Sequence, residues 1–438
     1  MENILTRMKT GRNRTYGTDT LTGRVTDWVN GSVGAIMFLN TRSAVLQTIS
    51  AINFINFTDN NVLAAGKALA NQKQYWTDFT TLFKSEYLVD RRDGLKVNVN
   101  EADIADIAKE KGVRGALNYL LKLGFTPTQI ADSFAIASGG ATFYRNRIKS
   151  LVKKGMDPVA AEKLAMRDFI ETAEESQQSS RPDKISQQQA GPLGRIVLAF
   201  ANTPAQYARL IKKAASDLKN GRGDAKTNIS KILYYGAVQN IIFNALQQAL
   251  FAMTFGDEEE ESEKTVNMIN GTIDGIARGT GLGGAVFTVV KNTALKLYRD
   301  SEKKNPKYED GMLEMLKISP PISSKVQKLR AAGRTMSWDM DEIKEKGASF
   351  DNPAIMAGAK VTSAMFNFPA DRAVQKVQNL VDASDSELET YKRLALVGGW
   401  SAWELGIKEE EKKKEAKNKS TKRRSSVKKS VLRKTIIR

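Results

Sequence analysis

The chain has 438 residues, of which 41% are hydrophobic and 8% aromatic, and this composition excludes a wholly disordered protein. It contains no cysteine and no histidine, which excludes disulfides, thiolate nucleophiles, Ser-His and Cys-His catalytic pairs and cysteine-based zinc sites, and also removes the commonest metal ligand. The formal net charge of +18 indicates a negatively charged partner, such as nucleic acid or anionic lipid. We expect a non-enzymatic protein with no cofactor, no catalytic residues and no metal site.

The N-terminal sequence MENILTRMKTGRNRTYG lacks an apolar stretch, and we therefore expect no secretory signal peptide. Strand signals are confined to RRDGLKVNVN, where Asp93 and Gly94 predict the turn of a short hairpin. The apolar residues that alternate with polar ones after this turn are Leu95, Val97 and Val99. The next segment predicts a helix that starts at Asn100 and ends at Gly112.

Helix start and stop signals then recur along the chain. Gly124 predicts a helix end, and it is followed by Thr126 as N-cap, Pro127 at the first helical position and Gln129, which would complete a capping box. The spacing therefore predicts a helix boundary within GFTPTQ.

Two later segments carry similar signals. Asp157 before Pro158 predicts another capped helix start. Ser384 and Glu387 have the spacing of a capping box, and the helix that they would begin is expected to stop at Gly398–Gly399.

These signals predict an all-α fold, an irregular multi-helix bundle with short Gly- or Pro-marked turns, at most one short β-hairpin, and a disordered basic C-terminal tail. Composition predicts breaks at 177–192, at 299–311 and before the tail. The expected regions are an N-terminal helical region 1–190, a central helical region 191–298 with a long uncharged helix, a C-terminal helical region 311–407, and a basic tail 408–438 that is disordered or helical.

The segment KILYYGAVQNIIFNALQQALFAMTFG has no charged residue between Ile232 and Gly256. On a helical wheel, one stripe consists of Gly236, Asn240, Asn244 and Gln247, and apolar residues occupy the opposite face. The length suffices to span a bilayer, and basic residues before and acidic residues after it would place its N-terminal side in the cytoplasm. Amides in one span are costly in lipid unless partner helices bind them, so burial among helices is favoured and membrane insertion is the alternative.

The tail holds fourteen lysines and arginines against four glutamates, which leaves +10 for residues 408–438 and +8 for the rest of the chain. Its densest cluster consists of Lys422, Arg423, Arg424, Lys428 and Lys429. These residues are candidates for contacts with nucleic acid or anionic lipid, and the alternative is a solubilising terminus.

Two other motifs have plain structural interpretations. GTGLGG, from Gly279 to Gly284, follows a helical pattern instead of a strand, so it predicts a helix junction and not a dinucleotide site. ATFYRNRIKSLVKKG mixes Phe143 and Tyr144 with several cations, which is compatible with a nucleic-acid contact but is more typical of an amphipathic helix with a basic face.

Several long motifs together resemble one known group of proteins. They include NTRSAVLQTISAINFINF, GFTPTQIADSFAIASGGATFYRNR, QQSSRPDKISQQQAGPLGRIVLAFANTPAQYARLIKKA, NGRGDAKTNISKILYYGAVQNIIFNALQQALF, SPPISSKVQKL, NFPADRAVQKVQN and LALVGGWSAWELG. Over about residues 40–406 the chain resembles the helical C-terminal region, called the large polyvalent protein-associated domain, of giant polyvalent or internal virion proteins of tailed bacteriophages.

The resemblance implies a virion protein that enters the host with the genome. Other domains of these giant chains hold enzymes, whereas the helical part has no established catalytic residues. A fragment, a split gene and a separate ejection protein all remain open.

We therefore expect a non-enzymatic virion-associated structural protein, located in the virion interior and delivered to the host cytoplasm or inner membrane. Its expected partners are other virion proteins, phage DNA, the host membrane and further copies of itself. The alternatives are a protein that binds or condenses DNA through its basic tail, and a non-catalytic scaffold region of a larger polyvalent phage enzyme.

Overall fold

The computed structural model describes residues 21–41, 48–55, 59–93, 112–177, 185–239, 261–301, 313–347 and 352–407, without 403–404 and with the single positions 5, 44, 179, 349 and 350 in addition. Every regular element of these residues is helical, which confirms the predicted all-α fold. The strand expected after the Asp93-Gly94 turn, the helix predicted from Asn100 and the basic tail lie outside the described residues. The strand expected before this turn is wrong, because Glu86–Asp93 are helical.

The α-helices of the described residues are α1 (Leu21–Met37), α2 (Val62–Ala70), α3 (Gln72–Phe83), α4 (Glu86–Asp93), α5 (Val113–Gly124), α6 (Thr126–Lys153), α7 (Pro158–Ser176), α8 (Gln187–Ala190), α9 (Pro192–Val197), α10 (Asn202–Lys219), α11 (Ala225–Leu233), α12 (Glu261–Gly279), α13 (Leu282–Ser301), α14 (Pro320–Trp338), α15 (Met340–Lys346), α16 (Pro353–Phe366), α17 (Ala370–Ala383) and α18 (Thr390–Gly398). Two 3-10 segments cover Thr48–Phe54 and Leu316–Ile318, and a π-helical segment covers Tyr234–Val238.

The chain forms two compact units. The first comprises Met1–Gln247 with Glu259–Val374, and the second comprises Gln248–Glu258 with Gln375–Arg438. In the second unit, Leu396 and Trp400 are buried, and the Asn379 side chain donates to the carbonyl oxygens of both residues at 3.0 and 2.8 Å. These bonds connect α17 to the end of α18.

The largest core of the first unit surrounds α6. This helix packs against the 3-10 segment 48–54, α2, α3 and α7, and buries Phe143 next to Phe54 and Phe169. Gly139 and Gly140 lie at the closest approaches, because an added Cβ would lie 2.0 Å from the Ala51 carbonyl oxygen and 2.3 Å from the Phe169 ring, respectively. The paired glycines therefore permit close packing in mid-helix.

A second group of helices in the first unit consists of α1, α14 and α16. The Trp28 indole N–H donates to the Met365 carbonyl at 2.8 Å, and Asn367 donates back to the Trp28 carbonyl at 2.9 Å. Lys325 from α14 donates to the Ala364 carbonyl at 2.7 Å and to Asn367 at 2.6 Å, and its Nζ lies 4.0 Å from the Trp28 ring centroid. These contacts fix α14 against the end of α16.

The predicted helix starts have mixed outcomes. Asp157 caps α7 with Pro158 at its first position, as predicted. The capping box at Thr126 and Gln129 is wrong, because the Thr126 hydroxyl donates to the Leu123 carbonyl and the Gln129 amide donates to the Arg92 carbonyl. Both side chains bond the preceding chain instead of the free N–H groups of α6.

The capping box at Ser384 and Glu387 is also wrong. The Ser384 hydroxyl donates to the Val381 carbonyl at the end of α17, and α18 begins only at Thr390. Its predicted end is confirmed, since α18 stops at Gly398 and Gly399 has a left-handed conformation with φ of 103°.

Candidate anion-binding pocket

The residues predicted from the sequence as sites lie mostly outside the described residues. Asn240, Asn244 and Gln247 of the amide stripe belong to this group, as do Lys422, Arg423, Arg424, Lys428 and Lys429 of the tail. Gly236 is described, and it lies half-buried in the π-helical segment, where an added Cβ would be 3.8 Å from Ile211.

The described start of the uncharged segment packs against other helices. Tyr235 is buried on α10, with its ring centroid 5.3 Å from that of Tyr207. The Gln239 amide donates to Asn53 at 2.5 Å and also to the Tyr207 hydroxyl. The first amide of the segment therefore has protein partners, as the prediction of burial requires for this residue.

The cations in the first half of the basic motif on α6 form ion pairs within the fold. Arg145 binds Asp78 through two nitrogens at 2.8 and 2.5 Å, and Arg147 binds Asp168 at 2.7 Å. Phe143 and Tyr144 are buried in the core. The amphipathic-helix interpretation therefore describes this part of the motif better than a nucleic-acid contact.

A buried ionic cluster joins α4, α6 and α7. The Arg91 guanidinium, 2% exposed, donates to Asp132 at 2.7 Å and lies 3.8 Å from Glu174. Tyr87 donates to Glu174 at 2.9 Å, and burial raises the pKa of its phenol, so it remains a donor. Because Arg91, Asp132 and Glu174 are buried and pair with one another, the cluster connects helices within the fold.

A cavity of about 570 Å³ in the first unit has the opposite character, because it is open and basic. The chain segments that meet around it are α1, the turn after α9, the end of α12, the 3-10 segment 316–318, α14, α16 and the first turn of α17. Its lining residues are Ile36, Phe200, Arg278, Lys317, Pro320, Ser323, Ser324, Gln327, Lys328, Ala331, Lys360 and Arg372. Its volume lies within the range of small-molecule and cofactor sites.

Five basic side chains line this basic pocket, and two acids balance part of their charge. Lys328 pairs with Asp371 at 2.9 Å, and Lys317 pairs with Glu314 at 2.7 Å. Among the described residues, no acidic side chain lies within ion-pair distance of Arg278 or Lys360. Arg278 and Lys360 therefore contribute positive charge that no described carboxylate balances.

The pKa of the Lys328 ammonium group is lowered, and after burial the nearby cations are one of the causes. Burial is the main cause that lowers the pKa of its ammonium group. Asp371 opposes this effect, and the neighbouring Arg372 and Lys360 add to it. A bound anion would oppose the repulsion among these cations, so the electrostatics favour a ligand with negative charge.

The pocket also offers neutral contacts. The Phe200 ring is 38% exposed at the lining, and the Gln327 amide lies beside the Ser323 hydroxyl, to which it donates at 2.9 Å. An aromatic face, an amide and several cations suit a ligand that has both a planar ring and anionic groups.

Comparison with known proteins gave no match to a protein-family model, to a curated protein or to a solved structure. The resemblance to the helical region of giant phage proteins therefore stays a prediction. Any functional assignment has to rest on the geometry of the chain itself.

Two features are absent from the described residues. Within them, no helix combines the length and the apolar character that a membrane crossing requires. The described side chains also contain no group of three acidic residues placed to hold a metal ion. The candidate spanning segment beyond Gln239 lies outside these residues.

The sequence did not predict the basic pocket. Its cations are scattered from Arg278 to Arg372, on different helices, and each of them alone resembles an ordinary solvated residue. A local signal is the i, i+3, i+4 spacing of Ser324, Gln327 and Lys328 in SSKVQK, which places three polar side chains on one face of α14.

Proposed function

We propose that this chain is a non-enzymatic structural protein of a virion and that it binds DNA through the basic pocket. The observation that carries the DNA part is the convergence of five basic side chains on one open cavity, where Arg278 and Lys360 have no described carboxylate within ion-pair distance. Phosphate contacts of this kind supply most of the sequence-independent affinity for DNA.

Among the functions expected from the sequence, the pocket favours DNA binding over contact with the host envelope. The described cations converge in a concave site, whereas a membrane surface is flat and is contacted by cations spread over an exposed face. The resemblance to phage internal proteins supports the virion part of the proposal, and the net charge of +18 supports both parts.

The DNA part is tested by the salt dependence of binding. The double variant Arg278→Gln/Lys360→Gln removes two pocket cations with no described acidic partner, so it leaves no carboxylate unpaired. Binding of a short fluorescent DNA duplex is measured by anisotropy between about 50 and about 200 mM salt. The slope of log K against log salt should become shallower by about 0.9 for each phosphate that the protein no longer neutralises, hence by about 2 for the double variant.

A matched control is Lys212→Gln, which removes an exposed lysine of α10 that does not line the pocket. The control should leave the slope closer to that of the wild-type chain. Equal slopes for the wild-type chain and the double variant, both with the duplex and with a single strand of the same length, would refute DNA binding by the pocket.

The virion part has a separate test. Mass spectrometry of purified virions of the phage that encodes the chain should detect it, and nuclease-free osmotic opening of the heads should release it together with DNA. Its presence in infected cells but absence from purified virions would contradict the assignment.

A further inference from the structure

We propose that the basic pocket holds an unpaired nucleotide of single-stranded DNA, with the base on the Phe200 ring and the phosphates on the surrounding lysines and arginines. This inference rests on the proposed DNA binding and specifies which form of DNA enters the site. The shared chemistry is a nucleobase joined to phosphate, which a free nucleotide would also provide.

The first argument is shape. A cavity of about 570 Å³ has the size of sites that enclose one drug-sized ligand. The backbone of a duplex is a convex surface whose bases are stacked inside, so it can reach the rim of a concave pocket but cannot place a base in it. An unpaired nucleotide has a base that is free to enter.

The second argument is the position of Phe200. This residue lies in the turn between α9 and α10, and the preceding residues Val197, Leu198 and Ala199 are all buried. They anchor the turn, while the Phe200 ring remains 38% exposed at the pocket lining. Aromatic rings beside cationic grooves are the usual stacking platforms for single strands.

The third argument is the set of cations that line the same cavity as the ring. Arg278 comes from α12, Lys328 from α14 and Lys360 from α16, so three helices contribute cations to the lining. Ser324 and Gln327 add hydrogen-bonding groups on α14. Phosphates attached to a stacked base would meet lysine ammonium groups and an arginine, both of which bind phosphate oxygens.

The test compares Phe200→Leu with the wild-type full-length chain. Anisotropy is measured with a fluorescent single strand of about ten thymidines and with a duplex of the same length. Stacking on an aromatic ring contributes enough that the Phe200→Leu substitution should weaken binding of the single strand by about tenfold or more, while duplex binding changes little. Phe287→Leu is the control, because this exposed phenylalanine of α13 is not part of the pocket.

The same titrations separate the possible failures. If Lys360→Gln weakens both DNA forms and Phe200→Leu weakens neither, the pocket binds phosphates and the nucleotide inference is overturned, while the proposed function stands. If neither variant changes either affinity, both proposals fail. If ATP binds the wild-type chain more tightly than the single strand does and displaces it, a free nucleotide is the ligand and the strand is not. Circular dichroism and thermal melting establish that each variant is folded.

Discussion

At the scale of single residues, the glycines of α6 show how strongly one missing side chain can determine packing. Gly139 faces the backbone of the 3-10 segment 48–54, and a Cβ at this position would lie 2.0 Å from the Ala51 carbonyl oxygen. A backbone carbonyl cannot rotate away as a flexible side chain can, so either the segment or the helix would have to move.

We expect Gly139→Ala to lower the free energy of unfolding by about 1–3 kcal/mol, the usual cost of overpacking a core. The control is Gly66→Ala on α2, because no atom lies within 4 Å of the added Cβ there. This control should raise the free energy of unfolding by about 0.5–1 kcal/mol, since alanine restricts the unfolded chain and favours the helix. Urea denaturation followed by circular dichroism measures both changes, and equal effects of the two substitutions would contradict the packing argument.

Charged residues show why residue type alone did not predict the site. Arg145 and Arg147 belong to the motif that most resembles a nucleic-acid contact, yet both are held by carboxylates of the fold. Lys360 and Arg278 belong to no motif, and both reach the open pocket. Whether a described carboxylate lies beside one of these four cations depends on helices that are distant in sequence.

At the scale of elements, the sequence predicted helix type better than helix starts. Asp157 caps α7 as predicted, because its carboxylate accepts from the backbone N–H groups of Val159 and Ala160, which have no partner within the helix. At Thr126 the preceding helix α5 ends immediately before α6, and its terminal carbonyl at Leu123 binds the threonine hydroxyl. The sequence signal for an N-cap was present at Thr126, but the hydroxyl bonds the Leu123 carbonyl instead of an N–H group of α6.

The junction predicted at GTGLGG illustrates a local rule that needed no tertiary information. The chain leaves α12 after Gly279, adopts φ of 99° at Gly281, and enters α13 at Leu282. A positive φ favours glycine wherever it occurs, so the motif predicts the turn whatever packs around it. The predicted helix junction is confirmed.

At the scale of the whole molecule, composition predicted the all-α fold, and the net charge indicated an anionic partner but not the place where an anion would bind. The pocket requires helices from α1 to α17 to meet around α14, and helical periodicity states which face of a helix is apolar but not which other helix covers it. The amino-acid sequence alone shows the uneven distribution of charge, with +10 in the tail and +8 in the rest of the chain.

This division of charge leads to a prediction about two separate contributions to DNA binding. Removal of the residues after Ile407 retains every described core residue of the second unit, because Ile407, 3% exposed, is the last of them. If the tail contacts phosphates, the truncated chain should bind a DNA duplex more weakly and with a shallower salt slope. If the pocket also contacts phosphates, the truncated chain should retain a measurable slope.

The two contributions are separated by adding Arg278→Gln/Lys360→Gln to the truncated chain. Contacts made at independent sites should add, so the decrease in slope caused by the double substitution should be the same, about 2, with and without the tail. Anisotropy over the same salt series measures all four proteins. A truncated chain with an unchanged slope would identify the tail as a solubilising terminus, and a truncated chain with no DNA affinity would place all phosphate contacts in the tail and exclude the pocket.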